Sequence, residues 1–109
     1  FDADPEKLPA LENPEVFPAF AVSYTETDMN LHMNNVSYID RVLNTFEFDF
    51  LKAHRLRHFE INFLKEARPG EEIGVNRQQT GPLSYLSNLA TPNGTSEFVR
   101  TAMVFEEIK

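Results

Sequence analysis

The feature that most constrains the fold is one apolar stripe with helical spacing. Apolar side chains recur there at intervals of three or four residues, at Val36, Ile39, Leu43, Phe46 and Phe50. This period predicts one long amphipathic helix whose stripe is buried. Asn34 or Asn35 is expected to cap its first turn, because a short polar side chain can accept a hydrogen bond from an unpaired backbone amide. A single apolar helix needs a sheet to cover it.

The rest of the chain predicts that sheet. Apolar and small residues alternate over 17–27, and Phe59, Ile61 and Phe63 share one face of a second strand. Three further strand-like segments follow, separated by the turn sequences "ARPGEE" and "PNGT" and by a Gly-Pro break. Short turns join antiparallel neighbours. We therefore expect an α+β fold, in which an antiparallel β-sheet wraps around one long central helix.

Length and composition limit the other possibilities. The 109 residues predict one domain, with a Pro-rich acidic lead-in or linker at 1–16 and the folded part at 17–109. The net charge of −7 argues against a nucleic-acid partner, and the lack of a long apolar run argues against a membrane span. Because the chain has no cysteine, it holds neither a thiol nucleophile nor a thiolate metal site.

A polar segment, "TETDMNLHMNNVSYID" (residues 25–40), surrounds the start of the helix. Asp28, Asn30 and His32 are spaced by two residues, as are the first ligands of a calcium loop. Such a loop needs Gly at its sixth position and Glu at its twelfth, where this chain has Met33 and Ile39. The segment holds one histidine, which is too few for a zinc site. We expect no metal and no cofactor.

Two interpretations of this segment stay open on its residues alone. Asn and Asp are favoured in turns and helix caps, so the segment can be a polar strand-to-helix connection. That interpretation does not account for His32 between Leu31 and Met33. Alternatively, the amides of a helix N-terminus stabilise an oxyanion, while neighbouring acid, amide and imidazole groups move protons. The second combination suits acyl transfer or hydrolysis.

The sequence "DMNLHMNNVSYIDRVL", followed by "NFLKEA" and "RPGEEIGV", resembles the acyl-acyl-carrier-protein (acyl-ACP) thioesterases. Those enzymes have two hotdog-fold repeats in tandem, and this pattern belongs to the second. The resemblance covers residues 17–109 and implies that the acidic lead-in joins the two repeats. It also implies an enzyme that hydrolyses the thioester of fatty acyl-ACP and releases a free fatty acid, as part of fatty acid biosynthesis.

The family's catalytic set falls, position by position, on Asp28, Asn30, His32 and Glu66. The resemblance implies that Glu66 acts as a general base, or in a second alternative as a nucleophile, toward the thioester carbonyl. Asn30 and His32 would hold the water and the developing oxyanion, and Asp28 would orient them. Helix amides near Asn34 and Asn35 would supply further donors.

Two details around Glu66 qualify this assignment. Plant members tend to have Cys after this Glu, whereas this chain has Ala67, so a Cys-His-Asn triad cannot operate here. Strict alternation also places Glu66 on the strand face opposite Phe59, Ile61 and Phe63. We therefore expect Glu66 to reach the site through a bulge, a twist or the end of the strand.

Two alternative functions remain. One is a single-repeat acyl-CoA thioesterase of the 4-hydroxybenzoyl-CoA type, in which Asp28 would be the main carboxylate and Glu66 a surface acid. The other is an inactive hotdog scaffold or dimerisation module. In each case a second hotdog domain, in the same chain or as a homodimer, is an expected partner.

A cluster of basic residues is a candidate docking site for an acidic carrier protein. "LKAHRLRH" places Lys52, Arg55 and Arg57 close together in an otherwise acidic chain. The alternative explanation is that these positive charges complement the negative end of the helix dipole and the solvated start of the next strand. Tyr38 is expected to be a core residue. We expect a location in the bacterial cytoplasm, with the plastid as the alternative.

Overall fold

The computed structural model of the chain describes residues 8–108. Its elements are β1 (Glu15–Ala21), a 3-10 turn (Tyr24–Glu26), α1 (Asn35–Leu43), α2 (Phe48–Ala53), β2 (His54–Phe63), β3 (Glu72–Gly81), β4 (Ser84–Ala90) and β5 (Glu97–Glu107). The strands form one antiparallel sheet in the order β1-β3-β4-β5-β2. The predicted order of one strand, a helical segment and four strands is confirmed.

Alternation along the strands builds the core beneath the helices. Buried residues alternate along most of β4 and β5, as at Leu89 and Val99, whereas on β3 they are consecutive over 73–75 and include Val75. Tyr38 and Val42 of α1 belong to the same cluster and are 2% and 0% exposed. Tyr38 is thus a core residue, as expected. Within residues 8–108, no helix is long and apolar enough to cross a membrane.

The predicted turns need the glycines that the sequence places there. Gly70 follows Pro69 between β2 and β3 with φ +83°, and Gly94 lies between β4 and β5 with φ +77°. Residues with a side chain rarely adopt such positive φ values. In the second turn, the Gly94 amide donates to the Thr91 carbonyl at 2.8 Å. The Gly94 turn joins β4 and β5, which pair in the sheet, whereas the Gly70 turn leads from β2 to β3, which lie apart in the strand order. The expectation that short turns join antiparallel neighbours is therefore wrong for β2 and β3, because β2 pairs with β5 instead.

The helical stripe is divided between two helices rather than carried by one. α1 ends at Leu43 and α2 begins at Phe48. In the break, the Thr45 hydroxyl donates to the Val42 carbonyl at 2.7 Å, and the Arg77 guanidinium on β3 donates to the Thr45 carbonyl at 2.9 Å. These bonds satisfy carbonyl groups that a continuous helix would pair internally. The apolar period continues across the break, so sequence alone did not reveal it.

The first strand also differs from its predicted bounds. β1 starts at Glu15, inside the predicted lead-in, and ends at Ala21. Ser23 then closes a short turn, because its amide and hydroxyl both donate to the Glu26 carboxylate. Upstream, the Leu8 amide donates to Asn62 Oδ1 at 2.7 Å, which ties this end of the described chain to β2. Residues 1–7 of the predicted lead-in lie outside the described residues.

Two buried hydroxyl groups in the centre of the sheet lack hydrogen-bond partners in the described part of the chain. Ser87 on β4 and Thr101 on β5 lie opposite each other and are 1% and 0% exposed. A buried polar group without a partner costs free energy, whereas an apolar group of the same shape does not.

Thr101→Val is therefore expected to stabilise the fold by about 0.5–1 kcal/mol. Thr45→Val is the matched control, because the Thr45 hydroxyl is bonded to the Val42 carbonyl. Its removal should destabilise the fold by about 1 kcal/mol. Urea denaturation of the three proteins measures both changes. If Thr101→Val and Thr45→Val lowered the free energy of unfolding equally, the Thr101 hydroxyl would have a hydrogen-bond partner, which would contradict this prediction.

Candidate active site

The turn that carries Asp28, Asn30 and His32 is organised by the Asp28 carboxylate. Asp28 Oδ1 accepts from the Asn30 amide at 2.9 Å and from the His32 amide at 3.2 Å. The Asp28 amide in turn donates to the His32 carbonyl at 2.9 Å. This closed turn forces Leu31 to φ +59°, a value that is unusual for a residue with a side chain. Asp28 therefore orients its neighbours through their backbone.

Two backbone bonds fasten the turn to the rest of the fold. The Met33 amide donates to the Ala67 carbonyl at 2.8 Å, and the Asn34 amide donates to the Glu26 carbonyl at 2.8 Å. The first bond joins the segment after His32 to the segment after Glu66. It thereby brings His32 and Glu66, which are far apart in the sequence, close together.

The N-terminus of α1 begins directly after this turn. Asn34 is its cap, since Asn34 Oδ1 accepts from the Ser37 amide at 2.9 Å. The first four amides of a helix have no partner within the helix. Those of Asn34 and Ser37 are bonded as described, while in residues 8–108 the amides of Asn35 and Val36 have no such bond. These two amides remain available to an anion.

Glu66 reaches the site from the end of β2. That strand ends at Phe63, so Glu66 lies three residues beyond the alternating pattern. Glu66 Oε2 lies 2.8 Å from His32 Nδ1. The His32 side chain is 28% exposed and that of Glu66 is 71% exposed. The expectation that Glu66 would reach the site by way of the strand end agrees with this geometry.

A cavity of about 320 Å³ opens beside the pair. Its polar wall contains Asp28, His32, Asn35 and Glu66, while Tyr38 and Phe63 are part of its apolar wall. The predicted residues are thus brought together, except for Asn34, which caps the helix, and Asn30. Asn30 is exposed on the turn and does not line this cavity. Within the described chain, no group of three or more His, Cys, Asp or Glu converges to hold a metal ion.

An ion pair between Glu26 and Arg41 supports the backbone of the site. No sequence pattern indicated this pair. Glu26 accepts from Arg41 Nε at 2.8 Å and from Arg41 Nη2 at 2.9 Å. Hydrogen bonding from Arg41 lowers the pKa of Glu26 from 4.5 to about 2, against the opposing effect of burial. The Arg41 guanidinium also lies 3.7 Å from the centre of the Phe20 ring. Because Glu26 bonds the Asn34 amide, the pair links the cap to α1 and β1.

The candidate docking residues lie at the opposite end of β2. Arg55 Nε is 2.8 Å from Glu106 Oε1, and Lys52 Nζ lies 5.7 Å from the centre of the Phe48 ring. Arg57 is exposed, with no ion pair in the described chain. Arg57 is six residues before Phe63 on the strand, so it lies roughly 20 Å from this residue of the cavity wall.

Comparison with known proteins identifies the family. Residues 11–102 match the family model described as the acyl-ACP thioesterase C-terminal domain. The chain belongs to this family. The resemblance drawn from "DMNLHMNNVSYIDRVL" is thereby confirmed, and the matched part is the second hotdog repeat.

Individual relatives agree with this assignment. Oleoyl-acyl carrier protein thioesterase 2, chloroplastic, from Arabidopsis thaliana is 26% identical over 93 residues, which are 84% of this chain and 25% of the relative. The chain thus spans about a quarter of the length of that curated relative.

Two solved structures show the same fold. An acyl-ACP thioesterase from Bacteroides thetaiotaomicron aligns with a TM-score of 0.85 at 22% identity, over 94% of this chain and 42% of its own. The 12:0-ACP thioesterase from Umbellularia californica aligns with a TM-score of 0.84 at 19% identity, over 98% and 41%. The thioesterase-family domain therefore has the hotdog fold.

The Glu26–Arg41 pair of this acyl-ACP thioesterase domain makes its stability depend on pH. The folded-state pKa of Glu26 is lowered, so its contribution is present above the unfolded value of 4.5 and is lost as pH falls toward 2. Glu26→Gln should lower the free energy of unfolding at pH 7 by about 1.5–3 kcal/mol.

Urea denaturation between pH 7 and pH 3 measures this difference. The difference in the free energy of unfolding between wild type and Glu26→Gln should become smaller as pH falls below 4.5. Glu107→Gln, which changes an exposed glutamate of β5, is the control and should follow wild type. A gap that is constant with pH would contradict the role of the Glu26 charge.

Proposed function

We propose that this domain takes part in hydrolysis of the thioester of fatty acyl-ACP, with release of a free fatty acid. The observation that carries the proposal is the 2.8 Å contact between His32 Nδ1 and Glu66 Oε2 beside the N-terminus of α1. It places an imidazole, a carboxylate and unpaired helix amides around one cavity. These are the groups that thioester hydrolysis needs.

Glu66 is the general base in this proposal. One carboxylate oxygen contacts His32, which leaves the other free to accept a proton from water. The water oxygen then attacks the carbonyl carbon of the thioester, and the carbon–sulfur bond breaks as the tetrahedral intermediate collapses. The proton held by Glu66 passes to the leaving thiolate. The products are a carboxylic acid and the thiol of the carrier.

The negative charge on the intermediate needs donors that are already oriented. The amides of Asn35 and Val36 fit this role, because they lie at the positive end of the α1 dipole and are not bonded in the described chain. The side chain of Asn30 is exposed on the turn and does not line the cavity, so the family resemblance, rather than a contact, supports its role in holding the water or the oxyanion. Asn34 contributes indirectly, as the cap that sets the direction of the helix.

The alternative acyl-CoA mechanism would give the main role to Asp28. Against it, Asp28 Oδ1 already accepts two backbone amides within its own turn. Each of those bonds would weaken if the carboxylate attacked a substrate or took a proton. The contacts of Asp28 therefore favour an orienting role, and those of Glu66 favour the chemical one.

The acyl chain and the carrier need surfaces beyond this site. Met29 and Leu31 on the turn, and Phe63 and Leu64 at the end of β2, are exposed apolar side chains. Exposed apolar groups around a cavity favour contact with another protein surface. We propose that a second hotdog domain lies there, in the same chain or as a homodimer. The length of the relatives supports the first arrangement.

The alternative of an inactive scaffold is tested by adding the proposed second hotdog domain. If the isolated domain shows no hydrolysis and regains it when the other half is added, the site needs its partner. If the pair remains inactive, the domain serves as a scaffold. We propose a location in the bacterial cytoplasm, with the plastid as the alternative that the name of the Arabidopsis relative supports.

Glu66→Gln should lower kcat for acyl-ACP hydrolysis by about 10²–10⁴-fold, because it removes the general base and keeps the size of the side chain. Glu72→Gln is the matched control, since Glu72 is an exposed glutamate at the start of β3. It should keep wild-type activity. Undiminished hydrolysis by Glu66→Gln would remove the base assignment, and a loss limited to Asp28→Asn would favour the acyl-CoA mechanism.

Carrier-protein docking on the basic cluster predicts a substrate-dependent effect of charge reversal. Arg57→Glu should lower kcat/KM for an acyl-ACP by about tenfold at low salt, since steering by opposite charges acts on association. The value of kcat/KM for the same acyl group on CoA should change less than twofold. Arg68→Glu, at an exposed arginine between β2 and β3, is the control. Equal effects on both substrates, or faster hydrolysis of the CoA thioester by wild type, would contradict the proposal.

A further inference from the structure

The hydroxyl of Tyr38 accepts a hydrogen bond from a backbone amide next to Glu66. Tyr38 Oη lies 2.9 Å from the Ala67 amide, and this bond is buried. Tyr38 is 2% exposed and Ala67 is 0% exposed. The Tyr38 ring also packs edge-on against Phe63, with the ring centres 5.9 Å apart. The side chain thus connects α1 with both the end of β2 and the segment that follows it.

Ala67 is held on both sides of its peptide chain. Its amide donates to Tyr38, and its carbonyl accepts from the Met33 amide at 2.8 Å. The residue before Ala67 is Glu66, and the residue before Met33 is His32. The two bonds therefore fix the backbone positions from which the His32–Glu66 contact is made.

The backbone before Glu66 is held as well, because the Leu64 and Lys65 amides donate to the Phe98 carbonyl on β5 at 2.8 and 3.2 Å, so the Ala67 bonds fix the side that follows Glu66. The Glu66 side chain is 71% exposed, and its polar contact in residues 8–108 is the one with His32. An exposed side chain keeps its direction only if its backbone is fixed. Burial, together with the nearby charges of Glu66 and Glu71, raises the pKa of Tyr38, so its hydroxyl stays neutral at physiological pH. The Tyr38 oxygen accepts the bond from Ala67, so the bond does not depend on the phenol proton.

We propose that Tyr38 is a positioning residue, whose hydroxyl holds Glu66 in contact with His32 by way of the Ala67 amide. This inference rests on the proposed thioesterase function. Tyr38 does not need to touch the reacting atoms for this role. Without the hydroxyl, the Ala67 amide is left buried and unpaired, and the segment must shift to reach another acceptor. A shift of about 1 Å at a reacting group can cost 10²-fold in rate.

Tyr38→Phe tests the inference in the intact protein, because it removes the hydroxyl and keeps the ring that packs on Phe63. We expect kcat for acyl-ACP to fall by about 10- to 100-fold with KM within about twofold. Tyr85→Phe is the matched control. Tyr85 is 8% exposed and packs against Phe46 and Phe105, away from the candidate cavity. It should keep wild-type kcat.

A spectroscopic measurement separates positioning from a general loss of stability. The ¹⁵N signal of His32 Nδ1 reports its contact with Glu66, and Glu66→Ala, which has no acceptor, gives the signal of the broken contact. In Tyr38→Phe the signal should move toward that of Glu66→Ala, and in Tyr85→Phe it should stay at the wild-type position. A lower Tm with wild-type kcat and an unchanged His32 signal would overturn the proposal.

The same measurement distinguishes this inference from the proposed function. If wild type hydrolyses no thioester even with the second hotdog domain present, but Tyr38→Phe still shifts the His32 signal, the proposed function fails and the positioning role stands. If wild type is active and Tyr38→Phe changes neither kcat nor the His32 signal, the positioning role fails and the function stands.

Discussion

The bond between the Met33 amide and the Ala67 carbonyl is the contact on which the site depends. It joins a turn that precedes α1 to a segment that follows β2, and neither piece belongs to the regular sheet. Each piece alone has an ordinary structural role. The turn is closed by Asp28, and the segment leads into the turn at Gly70. Once the bond joins them, a histidine and a glutamate from distant parts of the chain meet at 2.8 Å.

The rest of the fold keeps this bond in place. The sheet fixes the end of β2 through its pairing with β5, and the core fixes α1 through Tyr38 and Val42. Glu26 and Arg41 tie the start of α1 to the chain after β1. The apolar core thus affects the His32–Glu66 contact indirectly. It sets the distance between two short segments, and hydrogen bonds within those segments set the directions of the side chains.

The sequence predicted the fold better than it predicted the contacts of the site. Period-2 and period-3.6 patterns report which face of an element is buried, and this was enough for five strands and a helical segment. They do not report where a helix breaks, because the Arg77–Thr45 bond that divides the stripe comes from a distant strand. Likewise, no spacing rule relates His32 to Glu66. Their association came from the family resemblance. Tyr38 was correctly assigned to the core, but the bond from its hydroxyl was not foreseen.

The position of Glu66 beyond the end of β2 has a consequence for local stability. A residue within a central strand is lost only when the sheet opens, which requires most of the free energy of unfolding. The segment that carries Glu66 lies outside the strand, but it is bonded to β5, where the Leu64 and Lys65 amides donate to the Phe98 carbonyl, and to the turn and α1 through Met33 and Tyr38. Met33, Tyr38 and Ala67 also belong to the apolar core. We therefore expect amide exchange at Ala67 to be about as slow as exchange in the core strands, so that one measurement reports the opening of the core and the loss of the His32–Glu66 pair together.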